Sequence, residues 1–358
     1  MHLIGLSLQS VGTGFALDFQ AALSNPAIGL FIGLLGTAIL QSSSTTTSMT
    51  VAAVAVGTLS LENAIPVVMG ANIGTTLTSS IVSMSYVTKT REFKKAVSAG
   101  VIHDLFNVFV CIILFPLELK FGILSKLSLY LSSAIGLSNP SNIIAEKWTL
   151  YQFTDNIGLK IISWIGAIPM LLLAFVMLFL VVKNISNILY KELIGSTKEK
   201  FESLAFKNTF KSFGWGFLLT AIIQSSSITT SLMVPLVATG KVELKRAFQF
   251  IMGANLGTTI TALIAAMFKS EAAVSLAIAH FLFNSFGVIL FLAFPYIRQI
   301  PILLSEKLGT FSLKYKLTAF TYIMFLFFLL PFTLIYFSKE HKTTPVTSKT
   351  TTEVTANK

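Results

Sequence analysis

The stretch Gln41-Ser-Ser-Ser-Thr-Thr-Thr-Ser48 occurs a second time in this chain, as Gln224-Ser-Ser-Ser-Ile-Thr-Thr-Ser231. A glycine-containing motif is repeated in the same way, as Gly70-Ala-Asn-Ile-Gly-Thr-Thr76 and Gly253-Ala-Asn-Leu-Gly-Thr-Thr259. Both motifs recur after 183 positions, from Gln41 to Gln224 and from Gly70 to Gly253. Such fixed spacing indicates an internal duplication.

A third pair of motifs follows in the same order. His103-Asp-Leu-Phe-Asn107 corresponds to His280-Phe-Leu-Phe-Asn284, and each is preceded by Ala-Val-Ser. The offset here is 177 positions, because the first unit has a longer basic loop at 86–93. Three ordered pairs exclude a chance similarity, so the chain contains two copies of one unit.

The composition places these units in a membrane. Of 358 residues, 54% are hydrophobic and 11% are charged, whereas a soluble domain carries about 25% charged residues. The net charge of +11 comes from basic residues between apolar runs, which is the pattern of cytoplasmic loops rather than of a nucleic-acid-binding surface. The single cysteine, Cys111, excludes an internal disulfide and a cysteine-based metal site, and no transition metal is expected.

Several apolar runs have the length of one membrane crossing. One of them is interrupted only by His103 and Asp104. The predicted crossings are 63–88, 96–117, 161–182, 247–268, 272–297 and 317–337. The N-terminal run 3–17 lacks a basic n-region, so a signal peptide is not predicted.

Two uncharged runs, 25–61 and 212–240, have a middle rich in Ser and Thr. This pattern predicts a re-entrant hairpin or a broken helix with its tip near the bilayer midplane. Irregular backbone is tolerated at that depth only where protein buries it or where it lines a watery cavity. The two runs therefore predict a binding site.

Basic residues orient the chain. Lys89, Arg91, Lys94 and Lys95 mark a cytoplasmic loop. Counting crossings then places the linker 118–160 outside the cytoplasm and the loop 183–211 inside. Two later groups of basic residues fall on the same cytoplasmic side. They are Lys241, Lys245 and Arg246, and then Arg298, Lys307, Lys314 and Lys316. The polar tail 338–358 has no apolar pattern and is predicted to be disordered.

The crossing count predicts that the two units are inverted. A hairpin adds no net crossing, so each unit has three, and the second copy must lie upside down. The first repeat is predicted at 1–117, the second at 161–297, and a terminal helix at 317–337. The chain is thus an all-α polytopic membrane protein with substrate and ion sites expected at the repeat interface.

The repeated motifs can bind ions of both signs. Hydroxyl and amide groups donate and accept hydrogen bonds, and free N–H groups at a helix start favour an anion. Two such tips meeting from opposite sides would form a cradle for a small tetrahedral oxyanion. Unwound carbonyls with Thr and Asn oxygens suit an alkali cation. Because no Lys or Arg lies deep in a predicted span, bound cations would have to neutralise the anion.

A packing role is the alternative for the same residues. Gly70-x-x-x-Gly74 and Gly253-x-x-x-Gly257 match the small-residue motif of membrane helix pairs, and packing is the favoured role for these glycines. Duplication within segments of unusual length favours binding for the Gln-Ser-Ser-Ser runs.

The histidine motifs have two interpretations. His103 and Asn107 share a helix face, as do His280 and Asn284. Hydrogen bonding that holds the scaffold together is the favoured role, and a role in coupling is the alternative. Asp104 has no acidic counterpart, since Phe281 takes its place. An intramembrane acid is a functional candidate, and its role stays open between coupling and scaffold.

At these motifs, and at Ser24-Asn25-Pro26 and Phe115-Pro-Leu-Glu118, the chain resembles the type II sodium–phosphate cotransporters of the phosphate:sodium symporter family. The resemblance runs over about 3–337. It implies phosphate binding by two sets of residues: Gln41, Ser42, Ser43 and Ser44, and Gln224, Ser225, Ser226 and Ser227. It also implies sodium binding by Gln41, Ser44, Thr45, Thr46, Asn72, Thr75, Gln224, Ser227, Thr229, Asn255 and Thr258.

The predicted function is sodium-coupled uptake of inorganic phosphate by alternating access, across a membrane that is predicted to be a bacterial inner membrane. Sodium is a co-substrate, and no enzyme activity and no cofactor are expected. Transport of another oxyanion, or phosphate export, would use the same architecture. A non-transporting scaffold and an intramembrane serine hydrolase are further alternatives. A hydrolase needs one nucleophile held by one base, whereas this sequence has two symmetric sets.

Overall fold

The computed structural model describes residues 2–10, 23–135, 149–174, 176–177, 180–181, 184, 205–267 and 269–340. Its helices are α1 (His2–Ser10), α2 (Pro26–Leu40), α3 (Ser43–Ala55), α4 (Leu61–Gly74), α5 (Leu77–Met84), α6 (Thr90–Phe121), α7 (Ile123–Ala134), α8 (Thr149–Ile165), α9 (Thr209–Ile223), α10 (Ser226–Ser231), α11 (Met233–Ala238), α12 (Leu244–Ala266), α13 (Glu271–Ala293), α14 (Pro295–Lys314), α15 (Leu317–Met324) and α16 (Leu330–Glu340). A π-helical turn, Phe325–Leu329, joins α15 to α16.

Five helical segments of the described chain are long and apolar enough to cross a membrane. They are Leu61–Met84, Thr90–Phe121, Leu244–Ala266, Glu271–Ala293 and Leu317–Phe337. Each overlaps one predicted crossing. The chain is thus an all-α polytopic membrane protein, as the sequence predicts.

The sixth predicted crossing, 161–182, differs from the structure. Helix α8 starts earlier, at Thr149, and ends at Ile165. Gly166 then adopts a φ of +87° before helical structure resumes at 167. The sequence does not predict this helix start, because α8 contains the charged residues Asp155 and Lys160, which are typical of a loop when they are read along the chain.

In each half of the chain, two helices fold back on each other. Thr37 Oγ1 donates to Thr46 Oγ1 at 2.8 Å, across the break between α2 and α3. In the second half, the hydroxyls of Thr220 and Thr229 are 2.7 Å apart across the break between α9 and α10. Residues nine positions apart on a continuous helix would be separated by about 13 Å along its axis. The chain therefore reverses direction at both breaks, and we call each break a tip: Gln41 and Ser42 in the first half, Gln224 and Ser225 in the second.

An asparagine begins the first arm of each hairpin. Asn25 Oδ1 accepts from Ala27 N at 3.0 Å, and Asn208 Oδ1 accepts from Lys211 N at 2.8 Å. Both side chains cap the start of a helix, where backbone N–H groups lack partners. The first arm of the second hairpin thus starts at Thr209 rather than at the predicted 212, because the cap and not the charge of Lys211 sets the helix boundary.

Glycines let the first arm of each hairpin pack closely on a later helix. Helix α2 packs on α4, and α9 packs on α12. A Cβ atom on Gly70 would overlap the backbone oxygen of Leu30, and one on Gly253 would overlap that of Phe213. The predicted packing role of these glycines is confirmed. Four other glycines lie against backbone in the same way: Gly33, Gly74, Gly216 and Gly257.

The structure contains helices where the sequence predicts connecting segments. The predicted linker 118–160 contains α7 and part of α8. The carboxylate of Glu118 begins α7 by accepting from Leu124 N at 2.6 Å and from Ser125 N at 3.2 Å. The structure describes part of the predicted loop 183–211, and in that part α9 begins at Thr209. The predicted tail 338–358 starts within α16, and 341–358 lie outside the described residues.

Helix α14 was missed because its charges resemble those of a loop. It packs along α6 through buried residues such as Ile302 and Gly309, while Glu306 and Lys307 are exposed. This is the pattern of an amphipathic helix.

Basic segments from distant parts of the chain meet at one end of the molecule. Arg91, Lys94 and Lys95 line a cavity of about 500 Å³ together with Glu243 and Glu306. The base of the second hairpin and α14 therefore lie beside the first basic loop.

Candidate functional site

Both tips have the same unusual backbone. Gln41 has φ and ψ of 53° and 29°, and Gln224 has 58° and 25°, which is the left-handed region. The following serines are extended, with φ of −150° at Ser42 and −143° at Ser225. A left-handed residue other than glycine is uncommon, and here it occurs at the corresponding position of both tips.

The two tips contact each other. Ser44 Oγ donates to the backbone oxygen of Gln224 at 3.0 Å. Reciprocally, Ser227 Oγ donates to the backbone oxygen of Gln41 at 3.1 Å. Ser43 and Ser226, at the helix starts, are 3% and 2% exposed, whereas the Gln41 side chain is exposed and Gln224 is half-buried. The tips thus form one polar region in which these serines are buried and the glutamines are more exposed.

Some of the predicted sodium ligands stabilise the hairpins. Thr46 Oγ1 accepts from Thr37 and donates to the Ser42 oxygen at 3.2 Å. Thr229 is placed equivalently, with its hydroxyl 3.2 Å from the Ser225 oxygen. These threonines join the two arms of each hairpin, so their hydrogen bonds position the tip.

The halves are not chemically equivalent. In the first tip, Ser42 Oγ accepts from Thr45 N at 3.2 Å and is 2.8 Å from Thr45 Oγ1. The counterpart of Thr45 in the second half is Ile228, and Ser225 makes no such capping bond. The first tip therefore has an additional hydroxyl oxygen.

Histidines connect the two halves crosswise. His103 Nε2 donates to Asn255 Oδ1 at 3.1 Å, and His280 Nε2 donates to Asn72 Oδ1 at 3.2 Å. Each histidine therefore hydrogen-bonds to the glycine-containing motif of the other half. All four side chains are at most 2% exposed.

Two further asparagines complete this cluster. Asn255 Nδ2 donates to Asn107 Oδ1 at 2.8 Å and to Asn284 Oδ1 at 2.6 Å, and Asn284 Nδ2 donates to Asn72 Oδ1 at 3.3 Å. We call these six residues the His/Asn cluster. Asn72 Oδ1 accepts two hydrogen bonds, which uses both of its lone pairs. A sodium ion at Asn72 would have to replace one of them.

The remaining predicted sodium ligands are the threonines that end the glycine-containing motifs. Thr75 Oγ1 donates to the Ala71 oxygen at 2.9 Å. Its counterpart Thr258 is 1% exposed, and its hydroxyl has no hydrogen-bond partner among the described residues. Of these two hydroxyls, only that of Thr258 therefore lacks a hydrogen bond to a described residue.

Replacing either histidine of the cluster by alanine should destabilise the protein. Hydrogen bonds between membrane helices contribute about 0.6 to 1.7 kcal/mol each, so the melting temperature in detergent should fall for His103→Ala and for His280→Ala. The double variant should be non-additive, because both pairs share one cluster. His280→Gln, whose amide can still donate to Asn72, is the control. Unchanged melting of both alanine variants would contradict a scaffold role.

Five long apolar helical segments in the described chain, and a buried polar region built from two corresponding tips, define a polytopic helical membrane protein. A family model described as Na+/Pi-cotransporter matches residues 1–123 and 177–348, so the chain belongs to the Na+/Pi-cotransporter family. This is a family of transporters rather than of enzymes.

Named relatives have similar sequences over most of this chain. The human sodium-dependent phosphate transport protein 2B is 26% identical over 93% of this chain and 62% of its own length. The mouse 2A protein is 28% identical over 87% and 61%, and the mouse 2B protein is 29% identical over 93% and 62%. The chain spans about three fifths of the length of these curated relatives. No solved structure gives a significant match.

Proposed function

We propose that this chain is a symporter that couples inward movement of sodium to uptake of inorganic phosphate by alternating access. The carrying observation is the reciprocal contact between the tips, in which each serine hydroxyl bonds to the glutamine carbonyl of the other half. Membership of the Na+/Pi-cotransporter family supports sodium and phosphate as the substrates.

The phosphate site that we propose lies between the two tips. Ser43 and Ser44 begin α3, and Ser226 and Ser227 begin the apolar helix Ser226–Ala238. Their hydroxyls and the backbone N–H groups of the helix starts are suitable donors to phosphate oxygens. The amides of Gln41 and Gln224 would close the site from its accessible side.

Sodium would neutralise phosphate in this site. Residues 25–61 and 212–240 contain no Lys, Arg, Asp or Glu, so the tips provide no fixed charge against a dehydrated anion. The carbonyls of Gln41 and Gln224 each accept a serine hydroxyl and keep a second lone pair for a cation. The hydroxyl of Thr45 adds an oxygen ligand in the first half alone. The symport therefore follows from electrostatics, since neither ion is stable there without the other.

Alternating access would move one half against the other. The first half is proposed at 1–117 and the second at 161–297, in inverted orientation, with the site between them near the midplane. The tip contacts are only two hydroxyl–carbonyl bonds, which a phosphate ion could replace. The His/Asn cluster provides a second and stronger connection between the halves. We propose that the halves move about this cluster.

A hydrolase is not supported by the contacts of the described residues. His103 and His280, the histidines at the centre of the molecule, donate to asparagine amides rather than to a tip serine. Among the described residues, neither of these two histidines therefore acts as the base that a nucleophilic tip serine would need.

The test is uptake of labelled phosphate into proteoliposomes that contain the purified chain. With an inward sodium gradient, phosphate uptake should exceed the uptake in choline by at least about tenfold. A tenfold ratio corresponds to a contribution of about 1.4 kcal/mol from one bound sodium ion. Labelled sulfate tests for another oxyanion, and liposomes loaded with phosphate test for export. Equal phosphate uptake in sodium and choline would refute the coupling, and flux of neither anion would favour a scaffold. The predicted bacterial inner membrane stays a prediction.

A further inference from the structure

The cavity of about 500 Å³ at the basic end of the molecule is a separate feature of the chain. Its lining residues fall within 91–98 and 237–244 and at Glu306, all outside the tips and the His/Asn cluster. The buried Asp104, which accepts from Ser80 Oγ at 3.0 Å, follows Lys94 by ten residues on α6. It therefore lies about 15 Å further along the helix axis.

Both halves of the chain form this cavity. Arg91, Lys94 and Lys95, at the start of α6, come from the first half, and Gly240 lies at the base of the second hairpin. A Cβ atom built on Gly240 would lie 3.4 Å from Lys95 Nζ, so the lysine ammonium group reaches that base. A ligand in the cavity would contact both halves at once.

The charges of the cavity favour an anion with one negative charge. Three cations and two carboxylates, those of Glu243 and Glu306, line it, which leaves a formal charge of +1. Among the described residues, neither carboxylate forms an ion pair with these cations, and the ion pair at this end joins Lys89 to Glu92. A singly charged anion would balance the cavity, whereas a polyphosphate would leave an excess of negative charge.

The three cations lie at the depth of lipid headgroups. Helix α6, Thr90–Phe121, has 32 residues and is about 48 Å long, whereas the hydrocarbon core of a bilayer is about 30 Å thick. The apolar part of α6 begins at Ala96, directly after Lys95. The cations therefore lie just outside the hydrocarbon, where phospholipids have their phosphate groups. Basic pockets between membrane helices bind anionic headgroups at this depth.

Helix α14 runs from the middle of α6 toward the cavity. Phe291, four residues before the start of α14, has its ring centroid 5.4 Å from that of Phe106, which lies in the middle of α6. Gly309, near the other end of α14, lies against the backbone of Lys94. The outer face of α14 therefore extends from the membrane interior to the basic end.

An apolar surface leads along this face to the cavity. Leu303, one turn before Glu306, is 54% exposed, and Ile300, one turn closer to the membrane interior, is 47% exposed. The acyl chains of a phospholipid whose headgroup occupied the cavity would pack against these side chains. A soluble anion would make no use of that surface, so charge and shape together fit a lipid.

We propose that this cavity binds the headgroup of an anionic glycerophospholipid such as phosphatidylglycerol, with its phosphodiester against Arg91, Lys94 and Lys95. Its headgroup hydroxyls would donate to Glu243 and Glu306, which accept hydrogen bonds as carboxylates. The bound lipid would hold the base of the second hairpin against the first half. Its effect on transport rests on the proposed function, whereas its binding does not.

The experiment counts lipids bound to the purified full-length chain in detergent by native mass spectrometry during titration with phosphatidylglycerol. The unaltered chain should retain one molecule of phosphatidylglycerol in preference to phosphatidylcholine. The cavity variant, Arg91→Gln with Lys94→Gln and Lys95→Gln, should bind it about 100-fold more weakly. Each Lys or Arg near an anionic lipid contributes about fivefold in affinity, or about 1 kcal/mol.

Two further variants separate the cavity from general surface attraction and from misfolding. The surface variant, Lys307→Gln with Lys314→Gln and Lys316→Gln, removes three exposed charges outside the cavity and should retain the lipid. Glu306→Gln removes a negative charge beside the phosphodiester, and its amide oxygen still accepts from a hydroxyl. It should therefore bind phosphatidylglycerol about fivefold more tightly, an increase that misfolding would not produce.

The outcomes that overturn this proposal are specific. Equal phosphatidylglycerol binding by the unaltered chain and the cavity variant would overturn it, and so would equal losses in the cavity and surface variants. Binding of inorganic phosphate that the cavity variant loses, without retention of lipid, would assign the cavity to a soluble anion and would also overturn it.

Proteoliposomes test what the bound lipid does. Sodium-dependent phosphate uptake by the unaltered chain should be faster with phosphatidylglycerol in the bilayer than with phosphatidylcholine alone, and the cavity variant should lose this difference. No uptake in either lipid, with the binding of phosphatidylglycerol intact, would count against the proposed function and would leave the lipid site supported.

Discussion

Replacing Gln41 by glycine is expected to reduce sodium-dependent phosphate uptake by about 10- to 100-fold, which corresponds to a lost hydrogen bond to a charged group worth about 1.5–3 kcal/mol. Glycine keeps the left-handed backbone at Gln41, where φ is 53°, without strain. The change therefore removes the amide and leaves the tip. Gln224→Gly should have a similar effect, because Gln224 adopts a φ of 58°. Uptake of labelled phosphate in proteoliposomes measures both.

Two control variants make this result interpretable. Gln41→Asn keeps an amide and a residue that tolerates left-handed backbone, so it should retain more uptake than the glycine variant. Gln299→Ala changes an exposed glutamine on α14, outside the tips, and should leave uptake unchanged. Undiminished uptake by both Gln41→Gly and Gln224→Gly would show that the glutamine amides do not hold phosphate.

The second large effect is expected from Gly70→Ala, which should prevent recovery of monodisperse, folded protein. The added Cβ would overlap the backbone oxygen of Leu30, so α2 would have to move away from α4 along its length. Overpacking a well-packed core costs about 1–3 kcal/mol or more, and here the obstacle is backbone, which cannot rotate away. Size-exclusion chromatography and thermal unfolding in detergent measure the loss.

Each half of the chain offers a matched control. Gly36 lies on the same arm, and a Cβ there meets nothing within 4 Å, so Gly36→Ala should be neutral or stabilising by up to about 1 kcal/mol. Gly253→Ala and Gly214→Ala form the equivalent pair in the second half, since Gly253 lies against Phe213 and Gly214 faces open space. If Gly70→Ala and Gly36→Ala melt alike, close packing does not hold the hairpin to α4.

Helix α14 and the start of α8 illustrate why some elements could not be predicted. Charged residues on these helices resemble loops when they are read along the chain, and only the packing of α14 on α6 places Glu306 and Lys307 on its exposed face. The interruption after Gly74, where Thr75 and Thr76 bond to the backbone at Ala71 and Ile73, was also missed. A hydroxyl that donates to the backbone of its own helix does not change the pattern of apolar residues, so the sequence does not reveal the interruption.

The sequence by itself determined the duplication, the long apolar helices and the position of both tips. These properties depend on spacing along the chain and on the length of apolar runs, which a membrane requires irrespective of tertiary contacts. Family resemblance added phosphate and sodium to that framework, and the match to the family model agrees with it.

Only the tertiary structure decided which side chains meet. The crosswise bonds of His103 to Asn255 and of His280 to Asn72 join residues far apart in the chain. Helical spacing tells which face a residue occupies, but the partner depends on how each helix is rotated and displaced against its neighbours. Those rotations are set by close packing at residues such as Gly70 and Gly253, and packing is a property of the whole assembly of helices rather than of any one segment.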